Sequence, residues 1–410
     1  MSPIAIREIE YYDDSVILPT FRLRLLMIGV GLSLATGRWG AWVGLPSIGI
    51  FVVDLLILFS FFLIVVRDGI KLDFLSVALG IFLISQLVRN HEYPLIIRLR
   101  DLLPFIYLEM FLLIREHVSR IQIAYIYKIL RVSTLFSLVW NLAVGVGLLA
   151  VIPSNSIAGV DIFSQRPDQS GFVACIGVIV WSLSLTNSPF ERLMNFWILP
   201  LNLLSLLLQP GRAGLLALLV SLPLLAIRLK NSPKLSKKGL VLFIFTSILV
   251  IPFAAGLQAV LPGDSAIKKF GILDQNGAAQ LLGNSTAYGR KMGQTTLIRW
   301  TIQEGKIIQG AGPGFEMLSQ SGAIRWLSGN ANVRYPHNWW VSLFSRYGII
   351  GLALWIVCVI ASVIGLRREP AGSQFLTFVV SIMAASTFGV IMEAPFGVIP
   401  FAFFTARLVK

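Results

Sequence analysis

Charged residues are scarce in this chain. Of its 410 residues, 13% are charged and 56% are hydrophobic, and the mean hydropathy is +0.79. Soluble domains contain about 25% charged residues, so this composition excludes a soluble globular protein. Apolar runs of roughly 17–21 residues, the length of a membrane-crossing helix, recur from Arg22 to the C-terminus. The sequence therefore predicts an all-α polytopic membrane protein, with one membrane domain over residues 1–410.

Cysteine is also rare, and the N-terminal stretch lacks the features of a cleaved signal peptide. The two cysteines, Cys175 and Cys358, both lie in apolar runs, so we expect buried thiols and no disulfide framework. The N-terminal stretch "MSPIAIREIEYYDDSVILPTFRLR" is acidic and lacks a short apolar core followed by a small-residue cleavage site. We therefore expect the first span to be retained.

The sequence lacks the motifs of metal and nucleotide sites. No Asp-x-Asp or Glu-x-Asp pair occurs among the acids that we place outside the membrane, and such pairs commonly hold divalent ions on diphosphates. The "GAGPG" at 310–314 lacks the Lys-Ser/Thr end and the preceding strand of a phosphate-binding loop, so we interpret it as a tight turn. We expect no metal, no cofactor and no nucleic-acid partner, and the absence of an ATPase domain argues against a primary pump.

Hydropathy predicts about twelve transmembrane helices, and charge predicts their orientation. With the N-terminus in the cytoplasm, the inside segments hold 19 of the 34 Lys and Arg residues and the short outside loops hold six. This orientation places a long loop, residues 261–338, on the outer face, between spans nine and ten. The predicted spans are 22–37, 48–66, 72–88, 102–114, 129–151, 171–187, 193–208, 213–228, 240–260, 339–364, 375–392 and 396–408.

The outer cations are candidates for binding a phosphate, because the orientation rule predicts few of them. All six in the short loops are arginines, whose planar guanidinium binds phosphate through two parallel hydrogen bonds. A lipid-linked phosphate is the ligand that this pattern indicates. These arginines are Arg38, Arg89, Arg98, Arg100, Arg166 and Arg212.

Two regions bring arginines to the predicted membrane surface. Arg212 lies in a Pro-Gly-Arg-Ala-Gly turn between two spans, where it either snorkels to headgroups or, with its flanking glycines, binds an anion. In the long loop, periodicity predicts a surface helix over 291–308 that ends at Gly310, with Ile298, Thr301, Ile302 and Ile308 on one face. Its polar face would present Arg299, and Arg290 would lie just before its first turn.

The segment "RYPHNWW" places a histidine where the tenth span begins. Trp339 and Trp340 are typical of the aromatic belt at a membrane interface, so His337 would lie at the outer surface. Histidine, with an ordinary pKa of about 6.5, is suited to accept a proton from a sugar hydroxyl near neutral pH. Asn338 would orient this imidazole or bind sugar. His91 and Arg89, in one outer loop, are further candidates for binding the acceptor sugar.

These motifs, in this order, resemble the O-antigen ligase and polymerase family. The resemblance covers residues 209–366 and consists of "GRAGLLALLV", then "RW" at 299–300 with "GAGPGF" from 310, then "HNWWVSLFSRYGIIGL". The first half matches mainly in hydropathy. There "FSQRPDQSGFVA" loosely resembles the Phe-x-x-Pro-Asn segment of many members, with Asp168 in place of Asn, and this departure puts the role of Arg166 in question.

The resemblance implies a GT-C-like glycosyltransferase in the bacterial inner membrane that takes a glycan from undecaprenyl diphosphate on the periplasmic side. It implies that Arg212 and Arg299 neutralise the diphosphate, with Arg290 and Arg166 as further binding residues, and that His337 deprotonates or orients the acceptor. Preplaced arginines would stabilise the departing diphosphate without a metal, and direct displacement would invert the anomeric centre.

The sequence leaves more than one function open. We favour the ligase, which transfers O-antigen to lipid A–core oligosaccharide, because the excess of outer arginines suits an anionic acceptor. The alternatives within the family are a polymerase that extends the glycan on its carrier and a transferase that modifies protein. The non-enzyme alternative is a transporter of the lipid-linked glycan. Two features argue against a transporter: the polar residues are concentrated on one face of the membrane, and the two halves of the sequence show no evident repeat.

Overall fold

The computed structural model describes most of the chain as helices. The described residues are 19–35, 44–45, 50–145, 156–157, 160–161, 167–183, 189–209, 213–230, 286–327, 334–366 and 371–409. Within them, two short antiparallel strand pairs join β1 (Gly44–Leu45) to β2 (Ile50–Phe51) and β3 (Ser156–Ile157) to β4 (Val160–Asp161). The helices are α1 (Phe21–Ala35), α2 (Val52–Asp68), α3 (Phe74–Val88), α4 (Leu95–Leu113), α5 (Arg115–Ser119), α6 (Ile123–Gly145), α7 (Pro167–Leu183), α8 (Pro189–Leu208), α9 (Ala213–Lys230), α10 (Thr286–Gln303), α11 (Met317–Gln320), α12 (Ile324–Leu327), α13 (Trp339–Gly365), α14 (Gly372–Ser386) and α15 (Pro395–Leu408).

The helices follow the apolar runs of the sequence closely. Eleven of the twelve predicted spans coincide with a described helix, and the remaining one, 240–260, lies outside the described residues. Among the described residues, Ile123–Ala143 and Trp339–Gly365 are long and apolar enough to cross a membrane, the second only when its two parts on either side of Gly348 are counted together, and six apolar helices are shorter. This all-helical architecture is compatible with a helical membrane protein.

Helix α13 is not one straight rod, as the hydropathy predicts, but two helices that meet at a sharp bend. Gly348 has φ 65° and ψ −161°, which are not helical angles. The rings of Trp339 and Trp355 are 4.9 Å apart at their centroids, although 16 residues would span about 24 Å along a straight helix. The first part, 339–347, is therefore separate from the apolar helix 349–365.

The bend changes the environment of the tryptophan pair from the one that the sequence predicts. Trp339 is buried in the protein core, 2% exposed, against the ring of Trp355, instead of facing outward as a residue of an aromatic belt would. Trp355 in turn stacks on Phe401 of α15 with centroids 4.9 Å apart. The indole N–H of Trp340 donates to Thr387 Oγ1 at 3.3 Å. Burial of these large rings stabilises the junction of α13 with α14 and α15.

One end of the helix bundle, which we call the basic end, is held together by arginine and lysine. Arg407 of α15 donates to the carbonyl oxygens of Val118 and Ile121, each at 2.6 Å, and these residues flank the end of α5. Ion pairs join the neighbouring segments at the same end: Arg22 with Asp68, Lys71 with Glu116, and Arg115 with Asp73. This is the end that the charge pattern places in the cytoplasm.

The opposite end, which we call the loop end, carries the segment 286–327. The backbone of this segment pairs with α13 at the bend: the N–H of Ile349 donates to Ile307 O at 2.8 Å, and the N–H of Ala311 donates to Ser345 O at 2.9 Å. These bonds satisfy backbone groups that the bend removes from the helix. The loop segment is thus docked onto the bundle through the break in α13.

The glycines of "GAGPG" make this docking sterically feasible. Gly310, Gly312 and Gly314 have φ of 64°, 86° and 86°, a region that side chains disfavour. A Cβ at Gly310 would lie 2.3 Å from the backbone of Arg346, and one at Gly312 would lie 2.4 Å from Asn90 Nδ2. The interpretation of this motif as a tight turn agrees with these angles.

Helix α10 differs from its predicted form. It spans Thr286–Gln303 rather than 291–308, because Gly305, with φ 67°, ends it and the chain then turns. Thr301 is fully buried, whereas Ile302 and Ile308, predicted for the same face, are 50% and 63% exposed. The buried face instead follows Gly293, Leu297 and Thr301 at a spacing of four residues.

Candidate functional site

Helix α10 directs two polar side chains toward the loop end of the bundle. Arg290 Nη1 donates to the carbonyl oxygen of Phe388 at 3.0 Å, and Gln294 Nε2, one turn later, donates to Pro336 O at 3.2 Å. Both lie on the face that continues into the buried Leu297, since residues three and four apart share a helix face. Pro336 immediately precedes His337, so α10 links the arginine to the histidine segment.

His337 has an unusual backbone. Its φ is 55°, a left-handed conformation that is uncommon for a residue with a side chain. Asn338 follows as the N-cap of α13, and its Oδ1 accepts from the N–H groups of Trp340 and Val341 at 3.0 and 3.2 Å. The capping fixes where the helix begins and therefore fixes the backbone that carries the half-buried imidazole. Asn338 thus has a structural role that the sequence analysis did not assign.

The turn between α14 and α15, residues 387–394, contacts both the Arg290 face of α10 and the start of α13 after His337. We call these three regions together the cluster. Phe388 accepts from Arg290, and Thr387 accepts from Trp340, three residues after His337. Glu393 Oε1 accepts from Ser342 Oγ at 2.9 Å. Glu393 lies between predicted spans eleven and twelve and is absent from the predicted site; its position as an acid between two apolar runs is the signal that could have indicated it.

Two predicted arginines, Arg212 and Arg166, lie outside the described residues. The helices that follow them do meet: Gly214, in the first turn of α9, is so close to α7 that a Cβ there would lie 2.1 Å from the carbonyl oxygen of Gly171. On α7, Asp168 Cβ would be 3.4 Å from a Cβ on Gly389, next to the acceptor of the Arg290 hydrogen bond. The N-terminal turns of α7 and α9 therefore belong to the loop end.

The structure does not bring Arg299 into the cluster. Arg299 follows Arg290 by nine residues, about two and a half helical turns, so the two side chains leave α10 on opposite faces. Arg299 is exposed and makes no hydrogen bond or ion pair within the described part of the chain. The sequence placed Arg299 on this helix and Arg290 just before it; of the two, Arg290 is the one whose guanidinium contacts the turn between α14 and α15.

Arg89 holds the loop rather than presenting a free guanidinium. It donates to the carbonyl oxygens of Gln309 and Gly310 at 2.6 and 3.1 Å and to Gln86 Oε1 at 3.2 Å, and burial lowers the pKa of Arg89. This geometry argues against the predicted role in binding sugar. His91, two residues on, is exposed and forms no hydrogen bond in the ranges that the structure describes.

Asp101 organises the segment behind His337, and the sequence analysis missed it. Its buried carboxylate accepts from Arg346 at 2.5 Å, from Gly314 N at 2.8 Å, and from Arg334 and Tyr335 at 3.3 Å each. Burial, and then the negative charge of Asp101, raises the pKa of Tyr335 well above its ordinary value, so Tyr335 stays protonated and able to donate. Asp101 thereby fixes the two residues that precede the proline before His337.

The cluster at the loop end contains the guanidinium of Arg290, the imidazole of His337, the carboxylate of Glu393, the side-chain amide of Gln294 and the indole N–H of Trp340. A guanidinium can neutralise an anion, and an imidazole can accept a proton. Within the described ranges, no group of three or more His, Cys, Asp or Glu side chains could hold a metal ion. Comparison with known proteins gives no match, either to a protein-family model or to a curated protein.

Proposed function

We propose that this chain is a membrane glycosyltransferase of the O-antigen ligase type, which moves a glycan from undecaprenyl diphosphate to lipid A–core oligosaccharide. The observation that supports this proposal is the link through α10. Arg290 and Gln294 lie one turn apart, and their side chains donate to the carbonyl oxygens of Phe388 and Pro336. Helix α10 therefore carries Arg290, the residue that we propose binds phosphate, and also contacts the segment that contains His337. Transfer from a lipid diphosphate requires an anion site and a proton acceptor side by side.

In the proposed reaction, an acceptor hydroxyl oxygen attacks the anomeric carbon of the donor sugar. The bond from that carbon to the diphosphate oxygen breaks, its electron pair goes to the leaving diphosphate, and the configuration inverts. Arg290, together with Arg212, would stabilise the charge that develops on this oxygen, which removes the need for a metal. His337 would accept the hydroxyl proton, and Asn338 would fix its position.

The proposed setting is the inner membrane of a bacterium, with the loop end facing the periplasm and a GT-C-like arrangement of about twelve spans. The charge pattern supports this orientation, because the segments that meet at the basic end carry more Lys and Arg than acids, and an excess of Lys and Arg marks the cytoplasmic side. A polyprenyl donor would keep its diphosphate at the membrane surface. The bend of α13 would place His337 at that surface, beside the apolar helix 349–365.

The test is a reconstituted transfer reaction with EDTA present. Purified wild-type protein receives glycan on undecaprenyl diphosphate and lipid A–core, and is compared with His337→Ala and with the control His117→Ala at the basic end. We expect glycan on lipid A–core with wild type and the control, and at least about 100-fold less with His337→Ala, as for loss of a general base.

Each other outcome selects a different function. A glycan that lengthens on its carrier would instead support the polymerase. No transfer to any acceptor, with the protein folded, would favour a transporter of the lipid-linked glycan. Equal rates for wild type and His337→Ala would remove His337 from the chemistry.

A further inference from the structure

Two large aromatic side chains are exposed together at the loop end. Tyr288 of α10 is 46% exposed and Trp326 of α12 is 43% exposed. Their ring centroids are 6.4 Å apart and the rings meet edge to face at 78°. Exposed aromatic surface of this kind is typical of binding sites, because burying it on a ligand is favourable.

The backbone holds this aromatic pair in place. A Cβ on Gly289 would lie 2.4 Å from the carbonyl oxygen of Trp326, and one on Gly293 would lie 2.9 Å from Leu327 Cγ. These two glycines, one turn apart, let α10 and α12 approach closely. The rings of Tyr288 and Trp326 are therefore positioned before any ligand binds, which lowers the entropic cost of binding.

Two cations flank the rings. Lys291, one turn after Tyr288, and Arg325, next to Trp326, are both exposed, and neither forms an ion pair within the described residues. The stretches 286–293 and 321–327 contain no Asp or Glu. Tyr288, Lys291, Arg325 and Trp326 form what we call the aromatic patch, and its charge suits an anionic ligand.

The patch lies away from the part of the loop that pairs with the apolar helix 349–365. Exposed aliphatic residues occur toward the other end: Ile302, in the last turn of α10, is about 21 Å from Tyr288 along the helix axis, and Ile308 follows the end of the helix. There Ile308 pairs through its backbone with Ile350 of the apolar helix 349–365. The aliphatic surface that continues into the bundle is thus at one end of α10, and the aromatic patch is at the other.

We propose that the aromatic patch binds a phosphorylated oligosaccharide, namely the core oligosaccharide of the acceptor. The ring surfaces would pack on the apolar faces of sugar rings, while Lys291 and Arg325 would pair with phosphate groups. Arg290, which donates to the carbonyl oxygen of Phe388, is adjacent to Lys291 in the chain, so the patch and the Arg290 contact share the first turns of α10. This inference rests on the proposed function and names the acceptor chemistry that it requires.

Direct binding tests the patch without any transfer. Phosphorylated core oligosaccharide freed of lipid is titrated calorimetrically into the protein in nanodiscs of uncharged lipid, and the dephosphorylated oligosaccharide is titrated in parallel. We expect the double variant Lys291→Gln/Arg325→Gln to weaken binding of the phosphorylated form about 10-fold, as expected for the loss of two exposed charges. The separate variant Trp326→Ala should weaken binding about as much, because it removes the ring that packs on a sugar. The control Trp197→Ala removes another exposed tryptophan, 61% exposed on α8, and should bind as wild type does.

Transfer kinetics give the second readout. The Lys291→Gln/Arg325→Gln variant should raise the acceptor KM about 10-fold, as expected from weaker binding of the acceptor, with kcat and the donor KM unchanged. The inference would be overturned if both patch variants bound the oligosaccharide as wild type does. It would also be overturned if the variants lost only their binding to anionic lipid vesicles and still bound the oligosaccharide normally. If the oligosaccharide binds at the patch but no glycan is transferred, the inference about this surface stands and the proposed function fails.

Discussion

The carboxylate of Asp101 joins parts of the chain that are far apart in sequence. Its partners Gly314, Arg334, Tyr335 and Arg346 lie 213 to 245 residues away. Hydropathy placed Arg346 inside a span and Asp101 at the edge of another, and nothing in a single sequence pairs them. The pairing explains how a membrane-type helix accommodates a buried arginine, since a buried charge requires a partner.

Asp101→Asn should strongly destabilise the fold. Removing one partner of a buried ion pair costs about 3–5 kcal/mol, because the guanidinium of Arg346 would remain buried without its counter-charge. The check is thermal unfolding in detergent, beside Glu92→Gln, which removes an exposed acid near the same end. Equal unfolding temperatures for the two variants would contradict the role given to Asp101.

Glu393 should act through position rather than through its charge. Glu393→Gln keeps an acceptor for the Ser342 hydroxyl, so transfer should stay within about threefold of wild type, whereas Glu393→Ala loses that hydrogen bond at a cost of about 1–3 kcal/mol. Transfer rates and unfolding temperatures of both variants distinguish these effects. A folded Glu393→Gln protein that transfers no glycan would show that the carboxylate takes part in the chemistry.

At the scale of elements, apolar runs predicted the helices well because burial dominates their stability. The predictions failed where polar chemistry overrides hydropathy. Span 102–114 is extended to Leu95 because Asp101 pairs inside the protein, and α10 is displaced because Gly305 ends it. The bend at Gly348 was missed, since the apolar run continues through it and the compensating backbone bonds come from residues 307–312.

Gly305 and Gly310 have similar φ angles, and a comparison of them tests whether the loop is docked on the bundle. Gly305→Ala should cost about 1–2 kcal/mol, because φ is 67° but nothing lies within 4 Å of the added Cβ. Gly310→Ala has φ of 64° and also meets the Arg346 backbone at 2.3 Å, so overpacking should bring its cost to roughly 2–5 kcal/mol. Unfolding temperatures of both variants give the comparison, and a Gly310→Ala protein as stable as Gly305→Ala would argue against the docking.

At the scale of the whole molecule, the described contacts group several helix ends into a basic end and a loop end, and the orientation of these two ends in a membrane stays a prediction. The sequence could not predict how the site at the loop end is arranged: Arg290 rather than Arg299 contacts the bundle, and Glu393 lies in the turn that Arg290 contacts. Helix rotation decides the first of these and tertiary pairing the second. Single-sequence periodicity determines neither, since the face of α10 that is buried depends on its neighbours.

The orientation of the two ends can be measured with histidine positions. In intact cells, a membrane-impermeant maleimide should label His91→Cys at the loop end and should label His117→Cys at the basic end only after the inner membrane is opened. The native Cys175 and Cys358 are buried, so they should give little background. Labelling of His117→Cys alone in intact cells would reverse the proposed orientation.

The measurement that tests the central claim most directly is the transfer rate of Arg290→Ala beside Arg299→Ala, under single-turnover conditions with the undecaprenyl-diphosphate-linked donor. The account predicts a loss of about 10²–10³-fold for Arg290→Ala, the usual effect of removing one donor to a developing negative charge, and a rate within a few-fold of wild type for Arg299→Ala. A large loss in Arg299→Ala with near-normal transfer by Arg290→Ala would contradict the site described here.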